Sequence, residues 1–281
     1  MAIKIIADST CDLPEEIIKR HDITIIPLSV LTGDRAYKDG DISNEEMFKW
    51  VEENKTLPTT SAPNIGVAAD NIGPVVGTGN EAIIITISSE ISSTYSNCVT
   101  ASKLVDMETK RVVIDSRSLS AGTGLLVLKA VELIETGLNI EAVADGLELY
   151  KERINASFIV DGLEYLKVGG RCSNASAFVG SIVKIHPILR LKDGKIVASG
   201  KIRGSMKIAI PKYIEMLDDE LKNANKDRIF IIHTSAEKDT LDAVKLALKN
   251  DYGFKEVIEQ PAGSVISCHC GPGTVGLMFA N

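Results

Sequence analysis

No stretch of the 281-residue sequence approaches membrane-spanning length. The opening Met1-Ala2-Ile3-Lys4-Ile5-Ile6-Ala7-Asp8 lacks the long apolar core of a signal peptide and reads directly as a strand. There is no basic tract of the kind that docks on membranes. A net charge of −7 argues against a nucleic-acid partner held by phosphate neutralisation. The five cysteines are odd in number and scattered, which suits reduced cytosolic thiols rather than a disulfide framework. No Walker phosphate loop and no Gly-x-Ser-x-Gly elbow occurs, so nucleotide hydrolysis and the common serine-hydrolase fold lose their main support. Internal repeats, low-complexity tracts and flexible linkers are also missing. The expectation is a soluble cytoplasmic protein. With 44% hydrophobic and 25% charged residues it can build one large domain or two ordinary ones.

What is present is a rhythm of short β-branched runs emptying into hydroxyl-rich loops. Ile83–Ile87 reads as a strand buried on both faces. It runs into Ser88, Ser89, Ser92, Ser93 and Thr94, where a helix carrying Tyr95, Val99 and Ser102 begins. Hydroxyls and free backbone N–H groups at such a point suit a carboxylate or phosphate. A single loop of this kind could equally bind only water, so the others matter. Ile3–Ala7 empties into Asp8-Ser9-Thr10-Cys11-Asp12-Leu13-Pro14, and Arg111–Ile114 into Asp115-Ser116-Arg117-Ser118. Pro58-Thr59-Thr60-Ser61-Ala62-Pro63-Asn64 is a further hydroxyl-rich loop. It precedes a short helix that ends near Gly73-Pro74. Ile23–Val30 is a strand interrupted by Pro27, and Leu31–Gly40 a loop or hairpin. Gly137 closes one helix, and Asn139 caps the next. This alternation predicts a parallel sheet with helices on both faces and a ligand beyond the strands' C-terminal ends.

Past about residue 155 the pattern changes. Lys192-Asp193-Gly194-Lys195 between Ile185–Leu191 and Ile196–Ser199 is a hairpin signal, which requires antiparallel strands. Helices are expected over Ala175–Lys184 and Arg203–Leu221, the latter kinked or started at Pro211. The fold class expected is α/β: an N-terminal parallel-sheet α/β domain (1–154) and a C-terminal α+β domain (155–281) with a mainly antiparallel sheet.

Gly271-Pro-Gly-Thr-Val-Gly276 has the spacing of a dinucleotide fingerprint, but too little sequence follows for its helix and second strand. Cys268-His269-Cys270 invites a zinc reading. On a strand, however, the two cysteines face one side and His269 the other, and no second paired knuckle exists. No metal is expected. His269 beside a Gly-Pro-Gly turn is a candidate functional group, although a lone histidine is more often structural. Arg171 and Arg203 adjoin glycine turns and could reach an anion, or simply a surface carboxylate.

In this order, Asp8-Ser9 with Asp12-Leu13-Pro14, Thr60-Ser61 with Pro63, Ser88-Ser89 with Ser92 and Thr94-Tyr95, Asp115-Ser116, Gly169-Gly170-Arg171, Gly200-Lys201 with Arg203, and His269 with Gly271-Pro272-Gly273 resemble the DegV family of bacterial fatty-acid-binding proteins. That family includes the lipid-carrying subunit of fatty acid kinase. The resemblance runs from end to end. The chain departs from the family's usual glycine at Ser93 and its frequent threonine at Cys270. Glycine permits positive φ cheaply, so the first change bears on the loop's backbone.

The resemblance implies a buried long-chain fatty acid as ligand, with no other cofactor. It implies that Thr60 or Ser61, with Ser92, Ser93 and His269, gather around the carboxyl group, with Asp8, Ser9, Ser116 and Arg171 in supporting positions. It assigns Arg203 and His269 to phosphorylation of that carboxyl by a separate ATP-dependent kinase subunit. An acyltransferase would then receive the acyl phosphate on the way to phospholipid. On this reading the chain has no catalytic turnover of its own. The competing expectation is a hydrolase or acyltransferase with Ser92 as nucleophile, His269 as base and Asp8 or Asp115 as orienter. A third, a lipid-stabilised regulator, has no DNA-binding motif behind it.

Overall fold

The computed structural model describes residues 2–105, 108–172 and 184–281. The first half runs β1 (Ile3–Asp8), a 3-10 turn (Ser9–Cys11), α1 (Glu15–Arg20), β2 (Thr24–Ile26), β3 (Ser29–Thr32), β4 (Arg35–Lys38), α2 (Asn44–Asn54), β5 (Thr59–Ser61), α3 (Ile65–Val76), β6 (Glu81–Thr86), α4 (Thr94–Leu104), β7 (Arg111–Asp115), α5 (Ala121–Glu135) and α6 (Ile140–Lys151). The second gives β8 (Ile154–Ile159), α7 (Glu164–Gly169), β9 (Ile185–Lys192), β10 (Lys195–Arg203), α8 (Met206–Met216) and α9 (Asp218–Asn223). It closes with β11 (Arg228–His233), α10 (Lys238–Asn250), β12 (Glu256–Pro261), α11 (Ser264–Cys270) and β13 (Val275–Ala280).

The β-branched runs of the first half pair in parallel in the order β2-β1-β6-β7. Alternation sends Ile83 and Ile85 of β6 toward Leu125, Leu126 and Leu128 of α5, while Ala82 and Ile84 meet Ala68, Ile72 and Ala101 of α3 and α4. Both faces are thus buried, which is why the strand reads as an unbroken apolar run. The second half builds a sheet in the order β10-β9-β8-β13-β11-β12, antiparallel except for β11 with β12. Its hairpin turns at Asp193 and Gly194, both at positive φ (50° and 78°), as a two-residue Asp-Gly turn requires. The fold class is therefore α/β with a parallel four-stranded sheet and a separate, mainly antiparallel sheet.

Helix α5 lies between the two sheets, packing on β1 and β6 on one side and on β8 and β13 on the other. From Ala121 to Leu128 it is buried all round, as a stretch without a solvent face requires, and Glu132 and Glu135 mark its exposed end. Gly124 lets it approach closely: a Cβ there would stand 2.7 Å from the Cys11 carbonyl oxygen. The outer face of the second sheet carries Ile229, Ile231, Leu277 and Phe279 against Ile210, Leu241, Val244 and Leu248 of α8 and α10.

Several segments differ from the sequence reading. Pro27 does more than interrupt a strand: β2 and β3 on either side of it belong to different sheets. Thr59-Thr60-Ser61, expected as loop, is β5, the third strand of a small antiparallel sheet β4-β3-β5. Helix α3 continues past Gly73-Pro74 to Val76. The expected single helix over Arg203–Leu221 starts later, at Met206, contains Pro211, and gives way to α9 at Leu217. Cys268-His269-Cys270, read above as strand, is the end of helix α11. The helix expected at Ala175–Lys184 lies outside the described residues, apart from Lys184, a turn residue. Among the described residues no helix is long and apolar enough to cross a membrane.

Candidate functional site

The loops that follow the parallel strands converge on the start of α5, and two of them are occupied in holding one another. Asp8 is fully buried; one carboxylate oxygen accepts from the Thr10 N–H at 3.0 Å and hydroxyl at 2.5 Å, the other from the Ile87 N–H at 2.6 Å. Burial pushes its carboxyl up to about 6, against the pull of those donors. Ser9 donates to Asp39 at 2.8 Å and accepts from the Leu28 N–H at 3.1 Å. Ser116 is buried, sharing a hydrogen bond with the Thr123 hydroxyl at 3.0 Å. These groups fix backbone and do not line the cavity formed beside them.

The cavity lies beside them, about 80 Å³, walled by Leu28, Ile87, Ile91, Leu119, Leu166, Ile196, Val265 and Ile266. Its polar groups sit together: Thr60 from β5, Ser92 and Ser93 from the loop after β6, His269 from α11, and Arg171. The Thr60 hydroxyl and His269 Nε2 are 2.8 Å apart. Ser92 Oγ shares a hydrogen bond with Thr94 Oγ1 at 2.8 Å and accepts from the Thr94 N–H at 3.2 Å. A hydroxyl can accept from one partner and donate to another. With its proton assigned to Nε2, His269 can therefore donate to Thr60 while Thr60 donates into the cavity.

His269 is neutral at pH 7, since burial first and the Arg171 charge second push its imidazole down to about 4. Its Nδ1 is buried and has no hydrogen-bond partner. That nitrogen lies against the end of α7, where a Cβ on Gly169 would stand 2.3 Å from it. Arg171, at the rim, donates from Nη1 to the Gly169 carbonyl at 2.5 Å and from Nε to that of Ile91 at 3.3 Å. The site thus offers an anion one guanidinium, three aliphatic hydroxyls and a neutral imidazole, with apolar walls behind.

Leu119, Ile266 and Cys270 also line a second, smaller void bounded by Phe158, Ile232 and Met278. These three shared side chains therefore stand between the polar cavity and a small void beside α5 and the face of the second sheet.

The cavity brings together Thr60, Ser92, Ser93, His269 and Arg171. It does not include Ser61, Asp8, Ser9, Ser116 or Arg203. Strand alternation turns Ser61 away from Thr60, and it is exposed. Arg203 ends β10 and is exposed as well. No hydrogen bond of the described residues joins Ser92 to His269, or His269 to a carboxylate. Asp115 accepts instead from the N–H groups of Ser89 and Arg117. The strand-alternation argument over Cys268-His269-Cys270 does not hold on a helix. There Cys268 donates to the Pro58 carbonyl at 3.3 Å, His269 meets Thr60, and Cys270 lines the cavity. Asp12 and Asp39 hold the start of α11, a role that no spacing in the sequence marks.

A family model described as uncharacterised proteins of the DegV family matches residues 2–281. The chain belongs to the DegV family. Among its relatives, the DegV protein of Bacillus subtilis is 34% identical over 99% of each chain. A DegV family protein from Thermus thermophilus, described for its fatty acid binding, superimposes with a TM-score of 0.91 at 30% identity, covering all of both chains. A stearic-acid-binding protein from Eubacterium ventriosum superimposes with a TM-score of 0.87 at 28% identity, over 100% of this chain and 98% of that one. Within this DegV chain, Ser93 has φ −81° and ψ 3° at the entry to α4. That conformation is open to any residue, so serine stands there without backbone strain.

Proposed function

We propose that this chain binds a long-chain fatty acid. The carboxyl group would be held by Thr60, Ser92 and His269 with Arg171 at the rim, and the acyl chain would extend between the apolar walls toward the small void beside α5. The observation that carries this reading is the pairing of Thr60 with His269 in a cavity whose other lining side chains, apart from Ser92, Ser93 and Arg171, are apolar. It is supported by the relatives described as fatty-acid-binding. A neutral imidazole donating to Thr60 leaves the Thr60 proton free for the carboxylate, while the formal charge is met by Arg171. The cavity has room for the head group and a few carbons, so a longer chain would part Leu119, Ile266 and Cys270 from their neighbours. The units 1–154 and 155–281 would enclose the lipid between them, with α5 common to both.

In the same proposal the chain presents the carboxyl group to a separate ATP-dependent kinase subunit in the cytoplasm. A carboxylate oxygen would attack the γ-phosphorus of ATP held by that subunit, forming the acyl phosphate and releasing ADP. An acyltransferase would then accept the acyl group for phospholipid synthesis. This chain would supply position rather than a nucleophile. Exposed Arg203 is free to meet the kinase or the new phosphate. Arg203→Ala should keep its lipid and its thermal stability while acyl phosphate formation with kinase and ATP falls. Normal turnover by that variant would remove Arg203 from the proposal, and loss of lipid would make it a ligand-holding group.

A further inference from the structure

Asp12 and Asp39 come from separate segments of the first half and meet at one point, the start of α11. Asp12 Oδ1 accepts the Gly263 N–H at 2.9 Å. Asp39 Oδ1 accepts the Val265 N–H at 3.0 Å and the Ser264 hydroxyl at 2.9 Å. A Cβ on Gly263 would stand 2.9 Å from Asp39 Oδ1 and 3.0 Å from Asp12 Oδ1, so both carboxyl groups press on the same backbone. Their other oxygens are tied as well, Asp12 to the Ser120 hydroxyl at 2.5 Å and Asp39 to that of Ser9 at 2.8 Å. Ser120 heads α5 and Ser9 follows β1. The start of α11 is therefore fixed to the 3-10 turn, to the β4–α2 connection and to α5 at once. His269 lies about 9 Å further along the same two turns, and a short helix moves as a unit.

We propose that Asp12 and Asp39 are positioning residues for His269, setting where α11 begins and so holding the imidazole against Thr60. The proposal rests on the reading of that cavity as the carboxyl site. It reaches beyond it by assigning control of the head group to two acids that do not touch the cavity.

The pair also makes the clamp sensitive to pH. Burial, and then the charge of Asp39, push the Asp12 carboxyl up to about 8. The titratable groups facing it are Asp8 and Cys11 from its own segment, Asp39 from the β4–α2 connection and Cys270 from α11. Ser120 faces it from α5, and no cation pairs with it among the described residues. Near neutrality Asp12 therefore carries a proton, which it can donate to Ser120 while accepting from Gly263. Above about pH 8 it ionises beside Asp39, and the two charges repel across the helix start. The sign follows from linkage. A carboxyl with a raised folded pKa holds its proton longer in the folded state, so its contribution to stability falls as pH rises from about 4 to 8. Asparagine at position 12 matches the protonated form, accepting through its oxygen and donating through its amide nitrogen.

The test measures hexadecanoic acid affinity from pH 6.5 to 9 for the parent, Asp12→Asn and Asp39→Asn. Beside it, the ring resonances of His269 are followed in lipid-free protein, identified among the four histidines by their loss in His269→Gln. The parent should lose roughly fivefold or more in affinity from pH 7 to 9, with His269 resonances moving over the same range. Asp12→Asn should be flat in both readouts, and Asp39→Asn should weaken binding and shift His269 at every pH. Identical pH profiles for parent and Asp12→Asn would overturn the proposal, and that comparison decides even if Asp39→Asn does not fold. If the His269 resonances follow Asp12 but hexadecanoic acid affinity does not, the clamp stands and the carboxyl site lies elsewhere.

Discussion

Removing the Thr60 hydroxyl is the perturbation with the clearest expected size. Thr60→Val keeps the β-branched shape that β5 favours, so the small sheet should persist, while His269 Nε2 loses its partner. What disappears is one link of the chain His269 Nε2, Thr60 Oγ1, carboxylate, whose first step spans 2.8 Å. A hydrogen bond to a charged acceptor contributes about 1.5–3 kcal/mol. Fatty-acid dissociation constants should therefore rise roughly 10- to 150-fold. Adding Ser92→Ala should weaken binding further, though by less than a second full increment, because both hydroxyls face the same group. The assay is titration calorimetry with a fatty acid and the alcohol of equal chain length, beside thermal unfolding of the lipid-free proteins. The alcohol, lacking the charge, should lose much less. Equal losses for acid and alcohol, in variants that unfold at the parent's temperature, would refute the assignment of these loops to the carboxylate.

Gly169→Ala places a methyl group where His269 Nδ1 now lies, at 2.3 Å. It should displace the imidazole and cut fatty-acid affinity while circular dichroism stays unchanged; unchanged affinity would mean that the ring does not support the head-group site through Thr60. His269 also leaves a mark on stability. Its folded pKa of about 4 lies below its unfolded value, so the unfolded chain takes up the proton first as pH falls from 6.5 to 4. The parent should lose up to about 3 kcal/mol of stability relative to His269→Gln over that window, read from denaturant midpoints of both proteins at each pH. A constant difference would mean that the imidazole is not held neutral. Asp8 and Asp12, whose carboxyls are raised, act in the opposite direction, which is why the variant and not the parent alone is compared.

Much of the frame is legible because its signals are local. Apolar β-branched runs such as Ile83–Ile87, the Asp193-Gly194 turn and Gly137, at φ 82°, each carry their conformation in their own chemistry. The segments that build the site are less so. Ser264–Cys270 is buried on nearly every side, and a short apolar run without a polar face has no period that separates helix from strand. Thr59–Ser61 is a strand only because β3 lies beside it, a pairing with no local mark. The hydroxyl-rich loops show a related ambiguity. Ser9, Ser116 and Ser92 look alike in sequence, yet the first two are consumed by neighbouring loops and the third faces the cavity. Which serines remain available depends on tertiary contacts such as Asp39 with Ser9. The same reason hid Asp12 and Asp39: carboxylates near a glycine far along the chain carry no spacing rule. Arg171 and Arg203, each next to glycine, part company for lack of any local difference, one at the cavity rim and the other exposed at the end of β10.

The most direct test of the central claim is to purify the protein from bacterial cells, denature it, and identify released lipid by mass spectrometry, with the Thr60→Val, Ser92→Ala double variant treated alongside. The parent should release close to one long-chain fatty acid per chain, non-covalently held, and the folded double variant much less. Folded parent protein that yields no fatty acid, and takes none up from added hexadecanoic acid, would contradict the account.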